Sequence, residues 1–210
     1  MTRGSAARKV TYLLEPKNWI VVTVLAIGWH SGGIRGLGWG LVAALFAGAA
    51  PTLFINRGIR RGNWSDRNVG DKRSRLTVLG FIVASVATGL TLLAVGGAPR
   101  ELTGCFAFML VSVAVLAAIT TVWKISIHCA VASGSVTILA LTFGPPVTSA
   151  YALVALTAWS RVELRQHTTA QVVAGSLFGA LAALACYPLI RLSRTGVLAC
   201  SFSRANPPGR

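Results

Sequence analysis

Seven apolar runs, separated by glycine, proline or polar breaks, constrain this chain more than any other feature. They are Trp19–Trp29, Leu37–Ile55, Leu76–Val95, Leu102–Trp123, Ile127–Phe143, Val147–Trp159 and Val172–Ile190. A bilayer-spanning helix needs about 20 mostly apolar residues, and several runs reach or approach that length. They are apolar all round rather than striped, as lipid-embedded helices are. Charged residues make up 12% of the chain, about half of the ~25% usual in soluble domains. Mean hydropathy is +0.66. The pattern predicts an all-α, polytopic transmembrane helix bundle of six spans or, if the short first run crosses, seven. It excludes a disordered chain, a coiled coil, a secreted disulfide scaffold and an ordinary cytosolic enzyme. The expected organisation is a basic tail over 1–17, the bundle over 18–190 and a second basic tail over 191–210. Small residues such as Gly175, Ser176, Gly179 and Ala180 allow helices to approach closely in lipid.

The 20 Lys and Arg against 5 Asp and Glu would point to nucleic acid in a soluble protein. Here the cations sit in loops and tails between apolar runs, where membrane proteins face headgroups or the cytoplasm. Membrane lipids are therefore the expected partners, and nucleic acid is not. Cys105, Cys129, Cys186 and Cys200 lack CxxC spacing, so they read as reduced thiols and not as a metal site. The tryptophans at run ends, Trp19, Trp29, Trp123 and Trp159, read as interface anchors.

Ionisable groups are costly inside a bilayer and mark functional sites there. Three polar segments carry them: Asn56–Arg75, Lys124–His128 and Ser160–His167. Two runs separate each segment from the next, and a pair of spans returns the chain to the face it left. All three segments are thus expected at one membrane surface. They bring ten Lys and Arg, four serine hydroxyls and two histidines, against three carboxylates. Arg and Lys clusters bind phosphate. Two histidines can divide nucleophile and general-acid roles near neutral pH. Scarce carboxylates argue against Mg²⁺. The chemistry expected is metal-independent phosphoryl transfer at a bilayer edge, with no cofactor.

These residues resemble the membrane type 2 phosphatidic acid phosphatases, relatives of the vanadium haloperoxidases. The family's motifs are Lys-x6-Arg-Pro, Pro-Ser-Gly-His and Ser-Arg-x5-His-x3-Asp. The third is matched by Ser160-Arg161-x5-His167-x3-Gln171 and the second partly by Ile125-Ser126-Ile127-His128. The first is matched poorly: Arg75 takes the arginine position, Asn68 the lysine and Leu76 the proline, with Lys72 or Arg67 as substitutes. The resemblance covers roughly residues 56 to 190. It implies that His167 is the nucleophile, that His128 is the acid for the leaving oxygen, and that Arg161 serves the transferred group. Ser126, Arg75 and Lys72, together with Lys124 and Arg67, are the further candidates for holding phosphate oxygens.

Gln171 replaces the family's acid. Four residues after His167, it shares a helix face with it, and its amide oxygen can accept the imidazole N–H without supplying a carboxylate's charge. Thr168-x-x-Gln171 also reads as a capping box, and the two readings can coexist. His30, with no motif near it, reads as structural, and Ser160 as a helix end. Arg57, Arg60 and Arg61 read as headgroup contacts.

Fourteen Lys and Arg fall on the face of the three segments and six on the other. The positive-inside rule thus expects a multi-pass cell-membrane protein with its site on the cytoplasmic side. The function expected is removal of phosphate or diphosphate from a lipid or prenyl (di)phosphate through a phosphohistidine. Two alternatives stand beside it. One is a membrane prenyl transferase or terpene cyclase, whose metal-dependent forms want Asp-rich pairs where this chain has only Asp66 and Asp71. The other is a transporter or channel, for which no run holds a carboxylate.

Overall fold

The computed structural model of the chain describes residues 2–62 and 72–194. Every regular element among them is helical. In chain order they are α1 (Arg3–Leu13), α2 (Pro16–Ala44), a π-helical turn (Leu45–Ala49), α3 (Ala50–Arg60), α4 (Lys72–Val95), α5 (Arg100–Val122), α6 (Ile127–Phe143), a 3₁₀ turn (Pro145–Ala150), α7 (Tyr151–Glu163) and α8 (Thr169–Arg194). The all-α bundle expected from the apolar runs is present.

The first two runs form one hairpin. Within α2, two helical segments meet at Gly32 and Gly33, which leave the helical region, Gly33 at φ +54° and ψ −135°. That left-handed conformation favours glycine. The chain turns back there, and residues 34–44 pack on residues 24–28. The contact is backbone on backbone: a Cβ on Gly36 would overlap the Gly28 carbonyl oxygen, and one on Gly40 would sit 2.9 Å from the Val24 oxygen.

By length and composition, the stretch Arg3–Arg60 and the helices Arg73–Val95, Arg100–Val122 and Thr169–Pro188 can cross a membrane. The first of these stretches contains the hairpin. Helices α6 and α7 are shorter, at 17 and 13 residues. Pro145 and Pro146 enter the 3₁₀ turn between them, where proline's missing N–H costs no helix bond.

The main core gathers Val24, Ile27, Ala43, Val86, Leu93, Leu102, Phe106 and Ile138 from α2, α4, α5 and α6. Trp19 belongs inside rather than at an interface. It is 8% exposed and packs against Ala132, Val136 and Val154, whereas Trp29 is 58% exposed. The segment 1–17 carries α1, which lies along α7 with Ala7 fully buried. Thr11 Oγ1 donates to Ser160 Oγ at 3.1 Å.

Candidate active site

The site is set by how α8 lies on α6. Gly175 and Gly179 are four residues apart and face α6. A Cβ on Gly175 would overlap the Ser126 carbonyl oxygen, and one on Gly179 the Ala130 oxygen; Gly134 meets Gly179 from the other side. Small residues at this spacing let two backbones touch in a membrane. Polar bonds fix the register: the Ser126 N–H donates to the Gln171 carbonyl at 3.3 Å, and Ser133 Oγ donates to the Ser176 carbonyl at 2.7 Å. The starts of α6 and α8 therefore lie side by side. His128 is the second residue of α6, and His167 lies two residues before α8.

A Schellman turn delivers His167. The Gln166 N–H donates to the Arg161 carbonyl at 3.0 Å and the Arg165 N–H to the Val162 carbonyl at 2.9 Å. Arg165 holds the left-handed position at φ 52°, where glycine is usual. This turn reverses the chain at the end of α7, leaving Arg161 2% exposed on the same cavity wall as His167.

Gln171 makes both of the contacts read for it. Its Oε1 lies 3.0 Å from His167 Nδ1 and accepts the Thr168 N–H at 3.2 Å. Its own N–H donates to Thr168 Oγ1 at 3.4 Å, which completes the capping box. Because Oε1 accepts a backbone N–H, the amide is oriented, and His167 Nδ1 faces an acceptor. That arrangement keeps the imidazole proton on Nδ1 and leaves Nε2 unprotonated.

A cavity of about 600 Å³ opens onto these groups, with Arg75, Lys124, His128, Arg161, Gln166 and His167 on its wall. Lys124 Nζ donates to the Gln166 carbonyl at 2.8 Å. Burial, then the Arg75 and Arg161 charges, hold the Lys124 ammonium below its ordinary pKa. Burial also pushes His167 down from 6.5 to about 4. The Gln171 hydrogen bond works the other way, and the Arg161, Lys124 and Arg75 charges add to the lowering. Among the described residues, Glu15 is the one carboxylate on the wall, and its Oε2 sits 2.8 Å from Lys17 Nζ.

The three polar segments meet as the span parity predicts, with Asn56, Arg75, Lys124, His128, Arg161 and His167 on one cavity. Ser126 differs from expectation. It is fully buried and is not on the cavity wall; its Oγ accepts the Cys129 N–H at 3.5 Å as the N-cap of α6. Arg67 lies outside the described residues. Lys72 opens α4, and its side chain lies outside them too. His30 stands apart from the cavity, edge-on to Phe143 with ring centroids 5.2 Å apart. Sequence reasoning missed Arg8, Thr11, Tyr12 and Gln166, all on the wall. No motif marks them, and the first three come from α1, whose polar sequence gives no apolar run to find.

The model of the PAP2 superfamily matches residues 118–194. That segment holds Lys124, His128, Arg161, His167 and Gln171, the residues of the second and third motifs and their neighbour. The match begins beyond Arg75, so the departures in the first motif lie outside it. No curated protein and no solved structure matches the chain.

Proposed function

From the PAP2 superfamily character of residues 118–194, with the phosphatase-type activity on phosphate esters that it implies, we propose a metal-independent lipid phosphatase in the cell membrane. Its substrate is a lipid or prenyl (di)phosphate, and its intermediate a phosphohistidine on His167. The carrying observation is that His128 and His167 start two packed helices and line one cationic cavity. Both helix N-termini add partial positive charge where a phosphate would sit.

In this reading His167 Nε2 attacks phosphorus while His128 gives its proton to the leaving oxygen. Water then attacks the phosphohistidine and breaks the P–N bond. His128 takes the proton released, and phosphate departs. Gln171 orients His167 through Nδ1. Arg161, Arg75 and Lys124 hold the phosphoryl oxygens, where donors fixed in advance of the reaction stabilise developing charge most. Arg67 and Lys72 belong to the same proposed set. Ser126 acts here by fixing the start of α6 beside α8. Among the described residues the cations on the wall face one carboxylate, Glu15, already paired with Lys17, which favours this reading over a metal-dependent transferase. The excess of Lys and Arg on the motif face supports a site on the cytoplasmic side.

Phosphate release from lipid and prenyl phosphates in detergent tests the proposal. Release should persist in EDTA, stop with vanadate and vanish in a folded His167→Ala variant. Release that needs Mg²⁺, or survives His167→Ala near the wild-type rate, would overturn it.

A further inference from the structure

Helix α1 forms part of the cavity wall. Arg8, Thr11 and Tyr12, at i, i+3 and i+4, share one helix face, and all three line the cavity. Ala7, fully buried, seats α1 on α7. The 3.1 Å bond from Thr11 to Ser160 holds that face beside the residue that precedes Arg161. The two arginines lie at different depths. Arg161 is 2% exposed, whereas Arg8 is exposed and stands at the open edge of the wall. Its Nη1 lies 3.9 Å from where a Cβ on Gly4 would be. The guanidinium thus leans back along α1, as helical side chains do, away from Thr11 and Ser160. Among the described residues no carboxylate pairs with Arg8.

The charges on the wall exceed what one phosphate needs. Among the described residues, five Lys and Arg line it, Arg8, Lys17, Arg75, Lys124 and Arg161, against one carboxylate, Glu15. A phosphate monoester brings about −1.5 to −2 and leaves part of that charge unanswered. Resting on the phosphatase reading, we propose that α1 is a working wall of the active site and that Arg8 recognises a second phosphoryl group, which makes the substrate a diphosphate ester. His167 Nε2 attacks the terminal phosphorus, and the bond from that phosphorus to the bridging oxygen breaks. The bridging oxygen takes a proton from His128 and stays on the monophosphate ester, whose phosphate Arg8 holds. Water then frees phosphate from His167 as before. A guanidinium suits this place because its planar fork offers N–H groups to two phosphate oxygens at once.

The test uses the full chain in detergent with farnesyl diphosphate and farnesyl phosphate, whose apolar chains are the same. The diphosphate-to-monophosphate ratio of kcat/KM should fall about tenfold in Arg8→Gln, chiefly through KM, the scale of a lost hydrogen bond to a charged group. Arg8→Met takes its place if that variant fails to fold. Lys9→Gln removes the same charge one residue away, from a side chain that is not on the wall, and should keep the ratio. An unchanged ratio in the folded Arg8 variant, or an equal fall in Lys9→Gln, overturns the assignment. Binding separates it from the phosphatase reading. Farnesyl methylenediphosphonate has carbon in place of the bridging oxygen and cannot be cleaved there. It should raise the unfolding temperature more than farnesyl phosphonate does, and Arg8→Gln should abolish the difference. That result with no phosphate released from either ester counts against the phosphatase and for the Arg8 site. Phosphate release with binding indifferent to Arg8 counts for the phosphatase and against the Arg8 site.

Discussion

Two helix pairs in this protein touch backbone to backbone through glycine, and they do different work. In the α2 hairpin, Gly28, Gly36 and Gly40 fold a helix back on itself; Gly36 also faces Pro99, at the start of α5. Between α6 and α8, Gly134, Gly175 and Gly179 set the distance between two helix starts that carry His128 and His167. The same packing device builds the bundle in one place and aligns chemistry in the other. The hairpin needs only contact. The α6–α8 pair also needs register, and it alone is pinned by bonds from Ser126 to Gln171 and from Ser133 to Ser176.

One added methyl at each pair tests that difference most strongly. Gly175→Ala should push α8 off the Ser126 carbonyl and lower kcat about a hundredfold, the cost expected for misplacing reacting groups by ~1 Å. Gly36→Ala meets a carbonyl that lies closer still and should cost about 1–3 kcal/mol of stability, while activity per folded molecule stays within about twofold. Equal kinetic effects from the two would erase the distinction. Thermal unfolding and phosphate release on the same preparations check both.

Within the α6–α8 pair, Gln171→Ala should lower turnover roughly 10–100-fold. That is the range seen when partners that orient a metal-bound histidine are lost, applied here to a histidine without a metal. Gln171→Asp should keep or raise the rate, since a carboxylate also orients the ring and stabilises its charged form. If capping is all that Gln171 does, Ala should cost about 1 kcal/mol of stability and leave the rate per folded molecule unchanged.

The His167 environment predicts a pH signature. Its pKa is lowered from 6.5 to about 4, so the neutral ring should persist well into acid. Carbethoxylation of His167, read by mass spectrometry, should keep its rate between pH 7 and pH 5 and fall with a midpoint near 4. A midpoint near 6.5, the ordinary histidine value, would contradict the burial described. The sign for stability follows. Between those two values the unfolded chain binds more protons than the folded one at this position, so stability falls as pH drops through that window.

The smallest effect belongs to the turn that leads to His167. Arg165→Gly should relieve a left-handed residue and stabilise by about 1 kcal/mol or less, without changing turnover. A loss of stability would mean that the Arg165 side chain contributes more than its backbone costs.

Much of this was legible in the sequence. The apolar runs closely match the helices because they end where the backbone must change, at Gly32–Gly33, Pro99 and Pro145–Pro146. Span parity brought the polar segments to one cavity, and Gln171 makes both the capping bonds with Thr168 and the contact with His167 that its spacing allows. Helix α1 was not legible. Its residues are mostly small or polar, and its helical packing rests on Ala7 and Thr11 meeting α7, a contact between residues far apart in sequence. Trp19 misled for a related reason. A tryptophan at the end of an apolar run looks the same whether lipid headgroups or α6 and α7 await it. Ser126 looked like a phosphate ligand because its spacing to His128 fits the family. That spacing fits an N-cap equally well.

The central claim is covalent, and trapping tests it most directly. Rapid acid-free quenching of the enzyme with a phosphorus-labelled prenyl phosphate, followed by alkaline proteolysis, should give an acid-labile, alkali-stable label on the peptide holding His167. The label should be absent in His167→Ala. Turnover at the normal rate with no trapped phosphoenzyme, or with the label on any other residue, would contradict the account.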